Sequence, residues 1–208
     1  MMYAFNRDSM ELDSWYRILS GMKETLLDVR LGIFGEEELA NFCKKAILDA
    51  QTNDKFEETL FWGFDEPHNM PSDARCEFFY QPTYLMTLTL ANAVLQFPTL
   101  LEIDRMRDTL RKAFRGCTGR GLHGHGYDST AELHSNLRLF LKSNVLEFLT
   151  AYPDLGEEFS RMLDEIMTGM KEAYDNSHYI SDWNHGFQQE MEEVMTLYQI
   201  CKDKRIDR

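Results

Sequence analysis

Apolar side chains recur at intervals of about three to four residues along nearly the whole chain. That is the spacing of one helix face, and it constrains the fold more than any other feature. After Ser9, a suitable N-cap, Leu12, Trp15, Tyr16, Leu19, Met22, Leu26 and Val29 fall on one stripe. Beyond Gly35, Glu36, Glu37 and Glu38 suit the positive end of a helix dipole, and Leu39, Phe42, Cys43, Ala46, Ile47 and Ala50 form the next stripe. KFEETLFW predicts a short helix around Phe56, Leu60 and Phe61. FDEPHNMPSDARCEFFYQ, interrupted by Pro67 and Pro71, reads as irregular. Pro82 suits a first helical turn, and the helix it opens, PTYLMTLTLANAVLQF, is apolar almost all round, as a central buried helix would be.

Further stripes follow. Ile103, Met106, Leu110, Ala113 and Phe114 lie in a helix ending at Arg115, with Gly116 as its C′ stop. Leu133, Leu137, Phe140, Leu141, Phe148 and Leu149 lie behind a capping box of Ser129 and Glu132. The last two are Phe159, Met162, Leu163, Ile166, Met170, Ala173 and Tyr174, then Phe187, Met191, Val194, Tyr198 and Cys201. The tail 202–208 is expected to fray. Together these predict an all-α fold of roughly seven to eight helices packed as antiparallel helical hairpins, a bundle or partial α/α-toroid-like array, in a single domain over residues 1–208.

With 43% hydrophobic residues the 208-residue chain has ample material for a core. Its net charge of −13 opposes attraction to nucleic acid or anionic lipid. Cys43, Cys76, Cys117 and Cys201 show no CxxC spacing, and MMYAFNRDSMELD lacks a basic-then-apolar leader, so reduced thiols and a cytoplasmic location are expected. The most apolar stretch, 84–97, carries Thr, Asn and Gln and is too short to span a bilayer.

One segment departs from this pattern. GCTGRGLHGHGYDS, residues 116–129, brings five glycines, two histidines and an arginine together. Helix connections in bundles commonly need ~2–8 residues, and this one uses about twelve. As a plain turn, its glycines supply the positive φ values that a reversal needs. As a cradle, they let backbone N–H groups approach an anionic or polar ligand at a helix N-terminus. Arg105, Arg107, Arg111, Lys112, Arg115 and Arg120 make this the most basic window of an acidic chain. The candidate ligand-binding residues are Arg120, Gly121, His123, Gly124, His125, Gly126, Tyr127 and Asp128. His123, His125, Asp128 and His134 are also metal-ligand types, but the arginines would repel a cation, so neither metal nor cofactor is expected.

FWGFDEPHN places Trp62 and Phe64 beside Asp65, Glu66 and His68, which in a cleft could stack on a sugar and move protons, or else form a solvated turn. His178, Trp183 and His185 lie between the last two helices. No GxSxG nucleophile motif is present. Acidic runs at Glu36–Glu38, Glu157 and Glu158, Asp164 and Glu165, and Glu190–Glu193 fit helix starts and solvated faces, or a surface for a basic partner. The expected function is a small-ligand or partner-binding module using 116–129. One alternative is a hydrolase of a sugar or phosphorylated small molecule, with Asp128, Asp65 or Glu66 working with His125. Another is an acidic inhibitor or immunity-type protein.

Overall fold

The computed structural model describes residues 12–53, 56–62, 75–117, 138–175 and 185–206. Helix dominates them, and the sheet they contain is a two-stranded hairpin, in keeping with the all-α expectation. The chain divides into two compact units, Met1–Gly124 and His125–Arg208.

In the first unit, α1 (Leu12–Arg30) buries Ile18, Leu19, Met22, Leu26 and Val29 and packs along α3 (Arg75–Gln96). It ends in a Schellman arrangement: Ile33 N–H donates to Asp28 O and Gly32 N–H to Val29 O. Gly32 holds φ +70°, where glycine carries no Cβ penalty. Helix α2 (Glu36–Asp49) buries Leu39, Phe42, Cys43, Ala46 and Ile47, the stripe its sequence marks. Glu38 Oε2 accepts from the Gly35 N–H at 3.0 Å, one half of a capping box. The ends of three helices are tied together: Gln96 donates to the Val29 carbonyl, and the Thr99 hydroxyl donates to Glu36.

Residues 56–61, expected as a helix, form a strand instead. β1 (Gln51–Asn53) and β2 (Phe56–Phe61) pair antiparallel, Gln51 with Phe61 and Thr52 with Leu60, with an irregularity before Asn53 and Phe56. The spacing of Phe56, Leu60 and Phe61 fits one helical face, but the segment pairs with β1 as a strand, and Thr59, Leu60 and the following Trp62 are all buried. Thr59, Phe61 and Trp62 favour that geometry too.

Helix α3 is the centre of this unit. Every position from 82 to 94 is buried, as the all-round apolar pattern predicts. The helix begins at Arg75, so Pro82 lies inside it rather than in its first turn. Three of its buried polar groups turn back on the helix: Thr87 Oγ1 donates to Thr83 O, Thr89 Oγ1 to Leu85 O and Asn92 Nδ2 to Leu88 O. A 3-10 turn, Pro98–Glu102, and Arg105 at φ 65° lead into α4 (Met106–Cys117), which buries Met106, Leu110, Ala113 and Phe114 and packs on β2 and α3.

In the second unit the helix expected to run on to Leu149 is broken. Residues 138–142 (α5) end at a turn where Asn144 takes φ 58°, a conformation asparagine tolerates, and α6 (Val145–Ala151) begins anew. Helix α7 (Pro153–Asp175) has non-helical geometry at Gly156 and buries Leu155, Phe159, Leu163 and Met167, four residues apart on one stripe. Helix α8 (His185–Ile206) packs on α6 and α7 and buries Val194. The rings of Phe140 and Phe159 meet at 4.7 Å.

Glu193 on α8 joins both basic groups of α5, Lys142 at 2.6 Å and Arg138 at 2.9 Å. The Lys142 hydrogen bond, aided by the Arg138 charge, holds its carboxyl below the usual value. A depressed carboxyl pKa stabilises the fold above the unfolded value, and that contribution disappears as pH falls through the folded one. Glu193→Gln should therefore lower the thermal midpoint slightly at pH 7, because the pair is exposed, and leave it unchanged at pH 3. Melts of both proteins at the two pH values measure this.

Candidate functional site

The chain enters the Gly/His segment from the end of α4, and that end is held by the core. Helix α4 runs through Gly116 to Cys117. Gly116 is therefore not the left-handed stop its position suggests. A Cβ there would lie 2.4 Å from the Leu60 carbonyl oxygen, so glycine is needed because α4 and β2 approach backbone to backbone.

Cys117 is buried, and its carbonyl accepts the Tyr84 hydroxyl at 3.0 Å. Its Sγ lies 3.5 Å from Thr87 Oγ1, to which it donates. Burial pushes the Cys117 thiol up to about 12, against a smaller opposite pull from Thr87. Burial raises Cys43 to about 12 as well. Both therefore stay protonated near neutral pH, unsuited to nucleophilic or metal chemistry.

A second chain exit lies on the same turn of α3. Trp62, where β2 ends, donates its N–H to Thr83 Oγ1 at 3.0 Å, and its carbonyl accepts from that hydroxyl at 3.1 Å. The indole N–H donates to Ala46 O at 2.9 Å, and the side chain is 0% exposed. Trp62 is thus a core residue, which corrects the expectation that it could stack on a sugar. Thr83, Tyr84 and Thr87 together hold the roots of both candidate segments, FWGFDEPHN and GCTGRGLHGHGYDS.

The helix feeding the Gly/His segment is basic on one flank. Arg107, Arg111 and Arg115 succeed one another at four-residue spacing, and Arg105 and Arg107 are exposed. Lys112 pairs with Asp108 at 3.0 Å.

The ligand-binding candidates Arg120, Gly121, His123, Gly124, His125, Gly126, Tyr127 and Asp128 lie outside the described residues. So do Ser129, Glu132 and His134, Phe64, Asp65, Glu66 and His68, and His178 and Trp183, while His185 opens α8. Among the described residues no group of three His, Cys, Asp or Glu is placed to hold a metal ion. No helix among them is long and apolar enough to cross a membrane. Sequence reasoning missed Thr83 and Thr87 as anchors. The available signal was Thr83 and Thr87, one turn apart, in a mostly apolar helix.

Several members of the acidic runs are engaged within the fold. Glu36 accepts from Thr99, Glu38 caps Gly35, Asp164 accepts from Tyr198 and Glu193 pairs with Arg138 and Lys142. Compared with protein-family models, curated proteins and solved structures, the chain matches none of them.

Proposed function

We propose that this helical protein is a ligand-binding module taking a small anionic or polar ligand on segment 116–129, with Arg120, Gly121, His123, Gly124, His125, Gly126, Tyr127 and Asp128 as the binding group. The observation that carries this reading is the buried root. The chain enters the segment from a turn of α4 packed in the core, with Gly116 against Leu60 and the Tyr84 hydroxyl on the Cys117 carbonyl, and a fixed entry lowers the ordering cost that opposes binding. The arginines of α4 favour an anion in a chain whose net charge is −13. Glycine N–H groups and imidazole N–H groups would donate to its oxygens.

Calorimetric titration with inorganic phosphate at pH 6.5 tests this. The wild type should bind saturably, and the pair His123→Ala and His125→Ala should weaken binding by about tenfold or more, the loss of one to two charge-assisted hydrogen bonds. Equal affinity in both proteins, or no binding by the wild type, overturns the reading.

A hydrolase is the second reading, favoured by the shared turn that anchors Trp62 and Cys117. Turnover of a p-nitrophenyl phosphate or glycoside, lost in Asp65→Asn or Glu66→Gln, would support it. The engagement of acidic side chains within the fold gives an acidic-inhibitor reading no comparable support.

A further inference from the structure

We infer that the outer face at the C-terminal end of α1, carrying Leu27, Leu31 and Ile33, pairs with the same face of a second copy of this chain, the two α1 helices running parallel about a two-fold axis. The inference does not depend on the ligand-binding reading. Leu27, Leu31 and Ile33 are 51%, 65% and 62% exposed, whereas Ile18, Leu19, Met22, Leu26 and Val29 are buried. At about 100° per residue, Leu27 and Leu31 point directly away from that buried stripe. The Schellman turn that ends α1 returns Ile33 toward Leu27, so the three aliphatics form one patch. Single exposed aliphatics are ordinary on a surface; adjoining ones mark a contact.

The borders of the patch say what covers it. Leu27 and Leu31, four residues apart, take the d and a positions of a heptad. The g positions are then Lys23 and Arg30, both exposed, and the e position is Asp28, half-buried. One border of the seam is basic; the other carries Asp28, with Glu24, the preceding a residue, on the same side. About a parallel two-fold, g faces e, which sets Lys23 of one copy against Asp28 of the other, twice over. An antiparallel pair would set basic border on basic border. A partner of one sign would leave one border facing its own charge. Ser20 and Glu24 end the apolar seam toward the N-terminus, so the helices meet over the last two turns of α1 and diverge beyond them. With so short a seam, and a net charge of −13 opposing self-association, the dimer is weak and forms at high concentration.

Sedimentation equilibrium of the full chain, from micromolar to near-millimolar concentration, tests this. The average mass of the wild type should climb from one chain toward two. Leu27→Ser with Leu31→Ser should raise the dissociation constant about tenfold or more. Leu48→Ser is the control: Leu48 is 78% exposed but lies ~18 Å along α2 from its start, and its loss should change nothing. Lys23→Glu and Asp28→Lys should each weaken association about threefold, and together restore it, because the exchanged charges face each other again. A wild type that stays a single chain at every concentration overturns the inference and leaves the patch to a partner of other composition. Association that survives the paired leucine change overturns it as well. A charge exchange that restores nothing overturns the parallel pairing.

Discussion

Gly116→Ala is expected to lower the thermal midpoint by roughly 10 °C, the opposite of what the same change does in an open helix. Alanine normally stabilises a helix interior by about 1 kcal/mol over glycine. At this position the added methyl would sit 2.4 Å from the Leu60 oxygen and 3.5 Å from its carbonyl carbon, both backbone atoms that cannot rotate away. Separating α4 from β2 to admit it would strain a packed interface, at a cost of about 3 kcal/mol or more. Gly32→Ala makes the contrast. Nothing lies within 4 Å of a Cβ there, so only the φ of +70° resists substitution, and about 1 kcal/mol should be lost. Thermal melts of the two variants separate close approach from backbone conformation. A Gly116→Ala protein as stable as wild type would contradict the packing of α4 on β2.

Thr83→Val should come next in severity, on the order of 3 kcal/mol, because one hydroxyl serves two buried backbone groups of Trp62. Valine has nearly the same shape, so packing is kept while an N–H and a carbonyl lose their partner. Thr89→Val removes a hydroxyl from the same helix, but Leu85 O retains its helical N–H donor, and the loss should stay below about 1 kcal/mol. Urea unfolding measures the difference. The emission of Trp62, one of three tryptophans, should shift to the red in Thr83→Val when Trp15 and Trp183 are replaced by Phe.

The helices were legible where one buried face repeats over several turns. The stripe of α2 matches its buried residues, and α3 declares its central place by being apolar on all sides. The hairpin was not legible, because Phe56, Leu60 and Phe61 satisfy a helical spacing as well as a strand; what selects the strand is packing against α4, far along the chain. The break at Asn144 depends on a single left-handed residue inside an otherwise helical pattern. Pro82 fits the first turn of a helix, and the sequence offers no local sign that α3 starts seven residues earlier.

For the candidate site, the sequence picked out the right glycine at 116 for the wrong reason. It grouped Trp62 with Asp65 and Glu66 because they are neighbours in sequence. The indole's partner, Ala46 O, is a tertiary contact that local pattern does not encode. The convergence of Trp62 and Cys117 on one turn of α3 likewise belongs to packing.

The most direct test is a phosphate titration followed on the backbone amides of Gly119, Gly121, Gly124 and Gly126 by nitrogen-15 glycine labelling. Binding on this segment predicts saturable shifts of these four signals, with Gly32 and Gly35 unmoved. Signals that stay in place throughout, or shifts spread evenly over every glycine, would contradict it.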